Sequence, residues 1–158
     1  MTSITETQLA DELIKIDNTS SMLPLTAINK NKNHEHCILC GTQANYGLKL
    51  DFYRDQQGGV WTQLKGGLNQ QGYNGILHGG VSASLLDATM CNAIFSEGVE
   101  AVTADMSIRY HAEIPLAANM IVHAKIMKKA LTLYKVEAEI YVEQKLMAKS
   151  SARFMKRQ

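Results

Sequence analysis

Hydrophobic and polar positions divide this chain into stretches of different period. Leu9, Leu13 and Ile16 recur at helical spacing with Glu6, Asp11 and Glu12 around them, which predicts a short amphipathic helix over residues 5–16. Pro24 and the run Asn29-Lys30-Asn31-Lys32-Asn33-His34 mark a polar connection. From Tyr46 the period becomes two. Leu48, Leu50 and Phe52 alternate with Lys49, Asp51 and Tyr53, as in a half-buried strand. A turn over Asp55–Gly59 leads into Val60–Leu64, so a hairpin is expected. Gly66-Gly67 and the stretch from Gly72 to Gly75 bracket a loop.

The next stretch, from about Gly80 to Phe95, is apolar on nearly every side. That predicts a buried helix, ended at Ser96-Glu97-Gly98 by a glycine cap. Only strand patterns follow: Val102–Tyr110, Met120–Met127, Thr132–Val142 and Lys145–Phe154. The third is the clearest, with Val136, Ala138, Ile140 and Val142 alternating with Lys135, Glu137, Glu139 and Tyr141. One long helix with about six antiparallel strands is an α+β arrangement. The simplest form is a curved antiparallel sheet wrapped around one long central helix.

Composition narrows the classes. A length of 158 residues suits one domain, with residues 1–35 expected as an N-terminal helix and connection and 36–158 as the main domain. A net charge of +1 gives no electrostatic footprint for nucleic acid. No apolar run approaches the roughly 18 residues of a membrane span, and the N-terminus has no apolar signal core. Three cysteines make no disulfide framework, so a cytoplasmic location is expected.

Asp87 is the only formally charged side chain between Gly79 and Phe95. Charged groups are almost never fully buried without a partner. Either Asp87 caps a neighbouring backbone, or it performs chemistry. Gly79 and Gly80 open the same helix. A helix start presents unpaired N–H groups and a partial positive charge, and glycines let a ligand approach the backbone closely. Together they suit a carbonyl oxygen that gains negative charge, with Asp87 as base or nucleophile. Geometry adds a constraint. Asp87 lies seven residues beyond Gly80, a rise of about 10 Å, whereas a reacting carbon must sit about 3 Å from both groups. One helix does not meet that requirement. Two antiparallel copies do, which predicts a site shared between two chains.

At these residues the chain resembles the hot-dog acyl-CoA thioesterases of the PaaI-like group. The carrying motif is Gly72-Tyr73-Asn74-Gly75-Ile76-Leu77-His78-Gly79-Gly80 with Asp87 nine residues after the histidine. Val102–Tyr110, the opening Cys37-Ile38-Leu39-Cys40-Gly41 with Asn45, Gly47 and Leu48, and Leu146–Arg153 extend the resemblance over residues 36–155. It implies a hot-dog fold and hydrolysis of an acyl thioester to free acid and CoA. Gly79, with Gly80 beside it, would donate backbone N–H to the thioester oxygen, and Asp87 would be base or nucleophile. Thr103 would help hold the attacking water, and His78 would shape the loop. Asn74, Arg109, Lys128 and Lys129 are the candidate substrate-binding side chains, the lysines facing CoA phosphates or forming a solvated hairpin tip. The implied partners are an acyl-CoA and a second copy of the chain, as a homodimer or a tetramer built from two dimers. No cofactor is implied.

The chain departs from the family where some members carry Asn six residues before the histidine, a position held here by Gly72, and at Ala130 and Leu131, where Gly and a basic residue are common. Two other readings share the scaffold: an acyl-thioester hydratase or dehydratase, and a non-catalytic acyl-CoA-binding module. No metal is expected. Cys37 and Cys40 have metal-pair spacing with His34 and His36 adjacent, but no second cysteine pair. Thiols packing a loop are the simpler reading.

Overall fold

The computed structural model describes residues 24–158, so the amphipathic helix expected over residues 5–16 lies outside the described residues. Seven strands form one antiparallel sheet: β1 (Thr26–Ala27), β2 (Tyr53–Arg54), β3 (Val60–Lys65), β4 (Ala101–Tyr110), β5 (Asn119–Lys129), β6 (Leu133–Val142) and β7 (Lys145–Lys156). Their spatial order is β1-β2-β3-β5-β6-β7-β4. Helix α1 (Gly79–Phe95) packs against β3 to β7. The expected α+β architecture, a sheet around one central helix, is the observed one.

The core lies between α1 and the sheet. Leu85, Leu86, Met90 and Ile94 of α1 meet Val60, Met120, Val122, Val136, Ile140 and Phe154, all fully buried. Side-chain burial of this kind contributes roughly 1.5–3 kcal/mol for each large residue. Along β6, Tyr134, Val136, Ala138 and Ile140 are buried and alternate with less buried positions, which is why the period-two pattern located the strand. At the other end of α1, Gly98 takes the left-handed conformation at φ +78° and its N–H donates to the carbonyl of Phe95, ending the helix where the glycine predicted.

Three departures have physical causes. Residues 46–52 are not a strand. Lys49 has φ +50°, which breaks extended geometry, and the N–H groups of Leu48 and Leu50 donate to the carbonyls of Ile38 and Leu39. The alternation was right about burial, since Leu50 and Phe52 are in the core. The hairpin expected after it is short, pairing Tyr53–Arg54 with Val60–Trp61. Finally, α1 is not buried on every side. Val81, Ala83, Ser84, Asp87, Ala88 and Cys91 are only half-buried, and Gly79 and Gly80 are exposed.

Strand β4 is a terminal strand, paired only with β7. Its pairing shifts register between Thr103 and Asp105, with Thr103 opposite Phe154 and Asp105 opposite Arg153. Ala104 is therefore an extra, bulged residue. Paired residues project to the same face of an antiparallel sheet. Phe154 is in the core, so Thr103 faces α1, as do Met106 and Ile108 opposite buried Ala152 and Ser150. Strict alternation would have put Thr103 beside Asp105, Ser107 and Arg109 on the outer face.

Candidate active site

Helix α1 begins on the loop Gln70–His78, which is tied back on itself. The N–H of His78 donates to the carbonyl of Gln70, and that of Gly72 to the carbonyl of Ile76. Leu77 and Leu116 bond the loop to the segment before β5, through Ile114 and Gly75 respectively. Gly72 packs on His78: a Cβ at that position would lie 3.1 Å from the His78 Cα, so no larger residue fits without a shift. The loop residues 72–75 are exposed, Asn74 among them.

His78 is the N-cap of α1. Its Nδ1 accepts the N–H of Gly80 at 2.8 Å, which satisfies one of the orphan donors of the first turn. That contact engages the N–H of Gly80 within the chain. The N–H of Gly79 has no acceptor among the described residues. Gly79 is held from its other side, since its carbonyl accepts the Tyr110 hydroxyl at 2.9 Å. A Cβ on Gly80 would come within 3.0 Å of His78 Nδ1, so the glycine preserves the cap.

Asp87 is half-buried on the same side of α1. Its Oδ1 accepts the Thr103 hydroxyl at 2.5 Å. It forms no ion pair with the described residues and caps no backbone N–H, and its Oδ2 has no protein partner among them. One carboxylate oxygen is thus fixed while the other is open. The two contacts from β4, Thr103 to Asp87 and Tyr110 to Gly79, fasten both functional positions of α1 to one strand. Thr103 was placed among the candidates by its position in the motif, and the bulge at Ala104 is what turns it inward. Tyr110 was missed. Its signal was its parity with Met106 and Ile108 on the helix-facing side of β4.

The remaining candidates lie apart within one chain. Arg109 pairs with Lys149 on the outer face of the sheet, away from Asp87. Lys129 donates to Glu97 at 2.6 Å beyond the C-terminal end of α1, and Lys128 is exposed next to it. Among the described residues the one group of side chains with metal-ligand spacing is His34, Cys37 and Cys40, away from this site.

Residues 74–148 match the family model described as the thioesterase superfamily. The match covers just under half of the chain. That span contains the helix start, Asp87, Thr103 and Tyr110. Over 77 residues the chain is 36% identical to the acyl-coenzyme A thioesterase THEM4 of Mus musculus, a match covering 49% of this chain and 33% of that protein. The chain spans about a third of the length of this relative and of its rat counterpart. Among solved thioesterase structures, the PaaI protein of E. coli superposes with a TM-score of 0.66 at 19% identity, covering 70% of this chain and 81% of that one. A hypothetical thioesterase of Streptococcus pneumoniae, solved with coenzyme A, superposes with a TM-score of 0.62 at 23% identity, covering 65% and 82%. At these identities the likeness is one of fold, and it bears out the hot-dog architecture and the PaaI-like resemblance. No helix among the described residues is long and apolar enough to cross a membrane.

Proposed function

We propose that this chain is a member of the thioesterase superfamily and hydrolyses acyl-CoA thioesters at a site completed by two copies of the chain. The observation that carries the reading is the Asp87 carboxylate, fixed by Thr103 through one oxygen and open at the other. In this reading the free N–H of Gly79 polarises the thioester carbonyl and stabilises the oxyanion. Asp87 Oδ2 takes a proton from water or attacks the carbonyl carbon itself. Thr103 holds the carboxylate so that only one oxygen is presented, and His78 and Tyr110 set the position of Gly79. Single-turnover hydrolysis in oxygen-labelled water separates the two routes, because only covalent attack puts label into Asp87.

Gly79 and Asp87 are eight residues apart on α1, about 12 Å along the axis. A partner helix running the other way supplies the missing group to each. Strand β4 supports this, because a ten-residue edge open to solvent is a template for pairing with a second chain. The row of exposed Gly80 and half-buried Ala83, Ser84 and Asp87 on α1 has only small side chains besides the acid, which leaves room for a neighbour. A homodimer, alone or doubled into a tetramer, follows from this reading. Acyl-CoA is the substrate class suggested by the name of the mouse relative. The Streptococcus pneumoniae relative adds support. It was crystallised with coenzyme A and as aspartate-to-alanine and threonine-to-alanine mutants at positions sixteen residues apart, the separation of Asp87 and Thr103. Hydrolysis is favoured over hydration because α1 carries no second carboxylate or imidazole. The three cysteines, none in a disulfide, fit a reducing cytoplasm.

Subunit complementation tests the shared site. Gly79→Pro deletes the N–H while keeping the helix start, because proline suits the first helical position. His78 already has the extended backbone at φ −63° and ψ 131° that a residue before proline adopts. Asp87→Asn and Gly79→Pro chains should each be inactive alone. Mixed after subunit exchange, they should recover about a quarter of wild-type activity, from one working site in each heterodimer. No recovery, with heterodimers confirmed by native mass spectrometry, would refute the shared site.

A further inference from the structure

The motif left unused by the hydrolytic reading is the cysteine pair at the start of the domain. Cys37 and Cys40 stand on a tight loop with His34 at the end of a short 3-10 turn (Lys32–His34). The Sγ atoms of both cysteines and a ring nitrogen of His34 all lie within 4.8 Å of one another. Cys40 Sγ is 3.6 Å from His34 Nδ1. Around a tetrahedral zinc, with Zn–S of about 2.3 Å and Zn–N of about 2.0 Å, a sulfur and a nitrogen ligand sit about 3.5 Å apart. This pair is therefore already at ligand spacing, and the third donor needs to close by about 1 Å at most.

The backbone around these side chains is built to hold them inward. The N–H of Cys37 donates to the carbonyl of His34, and the N–H of Gly41 to that of Cys37. Gly41 is required for the wrap, because a Cβ there would lie 2.4 Å from the Glu35 carbonyl oxygen and 2.6 Å from the Cys37 nitrogen. From outside, Leu48 and Leu50 clamp the loop through the carbonyls of Ile38 and Leu39. The His34 ring stacks on Phe95 at the end of α1, and Asn31 and Asn33 both donate to Glu100 just before β4.

We propose that His34, Cys37 and Cys40 bind a zinc ion that fastens the segment 31–50 to the end of α1 and the start of β4. Two thiolates and an imidazole form a soft donor set that suits zinc and excludes magnesium or calcium. Water completes the tetrahedron. The site is structural and separate from Asp87.

The test uses the full chain, purified without chelators and freed of any affinity tag. Mass-spectrometric metal analysis should find one zinc per chain. His34→Ala, Cys37→Ser and Cys40→Ser should each lose it, whereas His36→Ala, at a neighbouring histidine outside the cluster, should keep it. Should the cysteine variants not fold, metal-free wild-type protein titrated with Co2+ still decides. A tetrahedral thiolate site gives sulfur-to-cobalt charge transfer in the near ultraviolet and intense visible bands at one equivalent, and raises Tm. Absence of zinc from the protein together with a featureless cobalt titration would overturn the proposal. So would full zinc retention in the Cys37→Ser and Cys40→Ser variants.

Discussion

The Thr103 hydroxyl donates to Asp87 Oδ1 at 2.5 Å, joining the edge strand β4 to the one carboxylate of α1. Hydrogen bonds to charged groups contribute roughly 1.5–3 kcal/mol. Thr103→Val, which keeps the shape and removes the donor, should lower kcat by about tenfold to a hundredfold with KM nearly unchanged. Asp87→Asn should lower it by about 10²–10⁴-fold. Thiol release from an acyl-CoA substrate measures both. A Thr103→Val enzyme with wild-type kcat would show that the hydroxyl does not position the acid.

Deleting Ala104 removes the bulge and restores strict alternation along β4. Thr103 then directly precedes Asp105 and stays opposite Phe154, facing α1. Activity should stay well above that of Thr103→Val in the same assay. The pairing of residues 105–110 with 148–153 should persist, read as unchanged amide exchange protection in that part of β7. A loss of activity as large as that of Thr103→Val would contradict the placement of Ala104 as the one extra residue of the strand.

His123 gives the fold a sensitivity to acid. It is stacked on Trp61 at 3.8 Å between ring centroids, and burial pushes its imidazole down to about 4. Asp55 and Glu139 oppose that shift and Lys125 adds to it. The folded value lies below the usual one of about 6.5, so the unfolded chain takes up this proton first. The contribution to stability is complete above pH 6.5 and is lost as pH falls towards 4. Its size is on the order of 3 kcal/mol, from about 1.4 kcal/mol per pH unit. Thermal unfolding at pH 7.5 and pH 4.5 should show a larger drop in Tm for the wild type than for His123→Phe. Equal drops would remove His123 as the cause.

The β6–β7 hairpin turns on Glu143 and Gln144, at φ +48° and +69°. Both values are left-handed, the requirement of the tight two-residue turn that matches strand twist. Non-glycine residues there cost roughly 1–2 kcal/mol each. Gln144→Gly should therefore raise Tm by several degrees without altering activity, as followed by differential scanning calorimetry. A lowered Tm would mean that the side chain makes a contact worth more than the strain.

Periodicity located α1 and the four long strands to within a few residues, because α1 and β5 to β7 bury apolar faces against a shared core. It could not identify the conformation of residues 46–52. Alternating burial there comes from pairing with the loop at Ile38 and Leu39, and a left-handed Lys49 leaves no compositional trace. The motif pointed to the His78-Gly79-Gly80 start and Asp87, yet the division of labour between the two glycines depends on where one imidazole nitrogen points. A histidine two residues before a glycine at a helix start was the available signal for that cap. Tyr110 was hidden by its position at the end of a strand whose parity changes part-way, and Arg109 drew attention in its place.

The bulge at Ala104 also bears on how relatives are compared. Residues 101–103 and 105–110 follow opposite reading frames along one strand, so a gapless alignment to a homologue without the extra residue would equate Thr103 with a solvent-facing position. A scan of substitutions interpreted in that frame would assign the hydroxyl's effects to the surface pair Asp105 and Arg153. Placing a one-residue gap at Ala104 keeps the two functions of the strand, outward charge pairing and inward support of the acid, in their own columns.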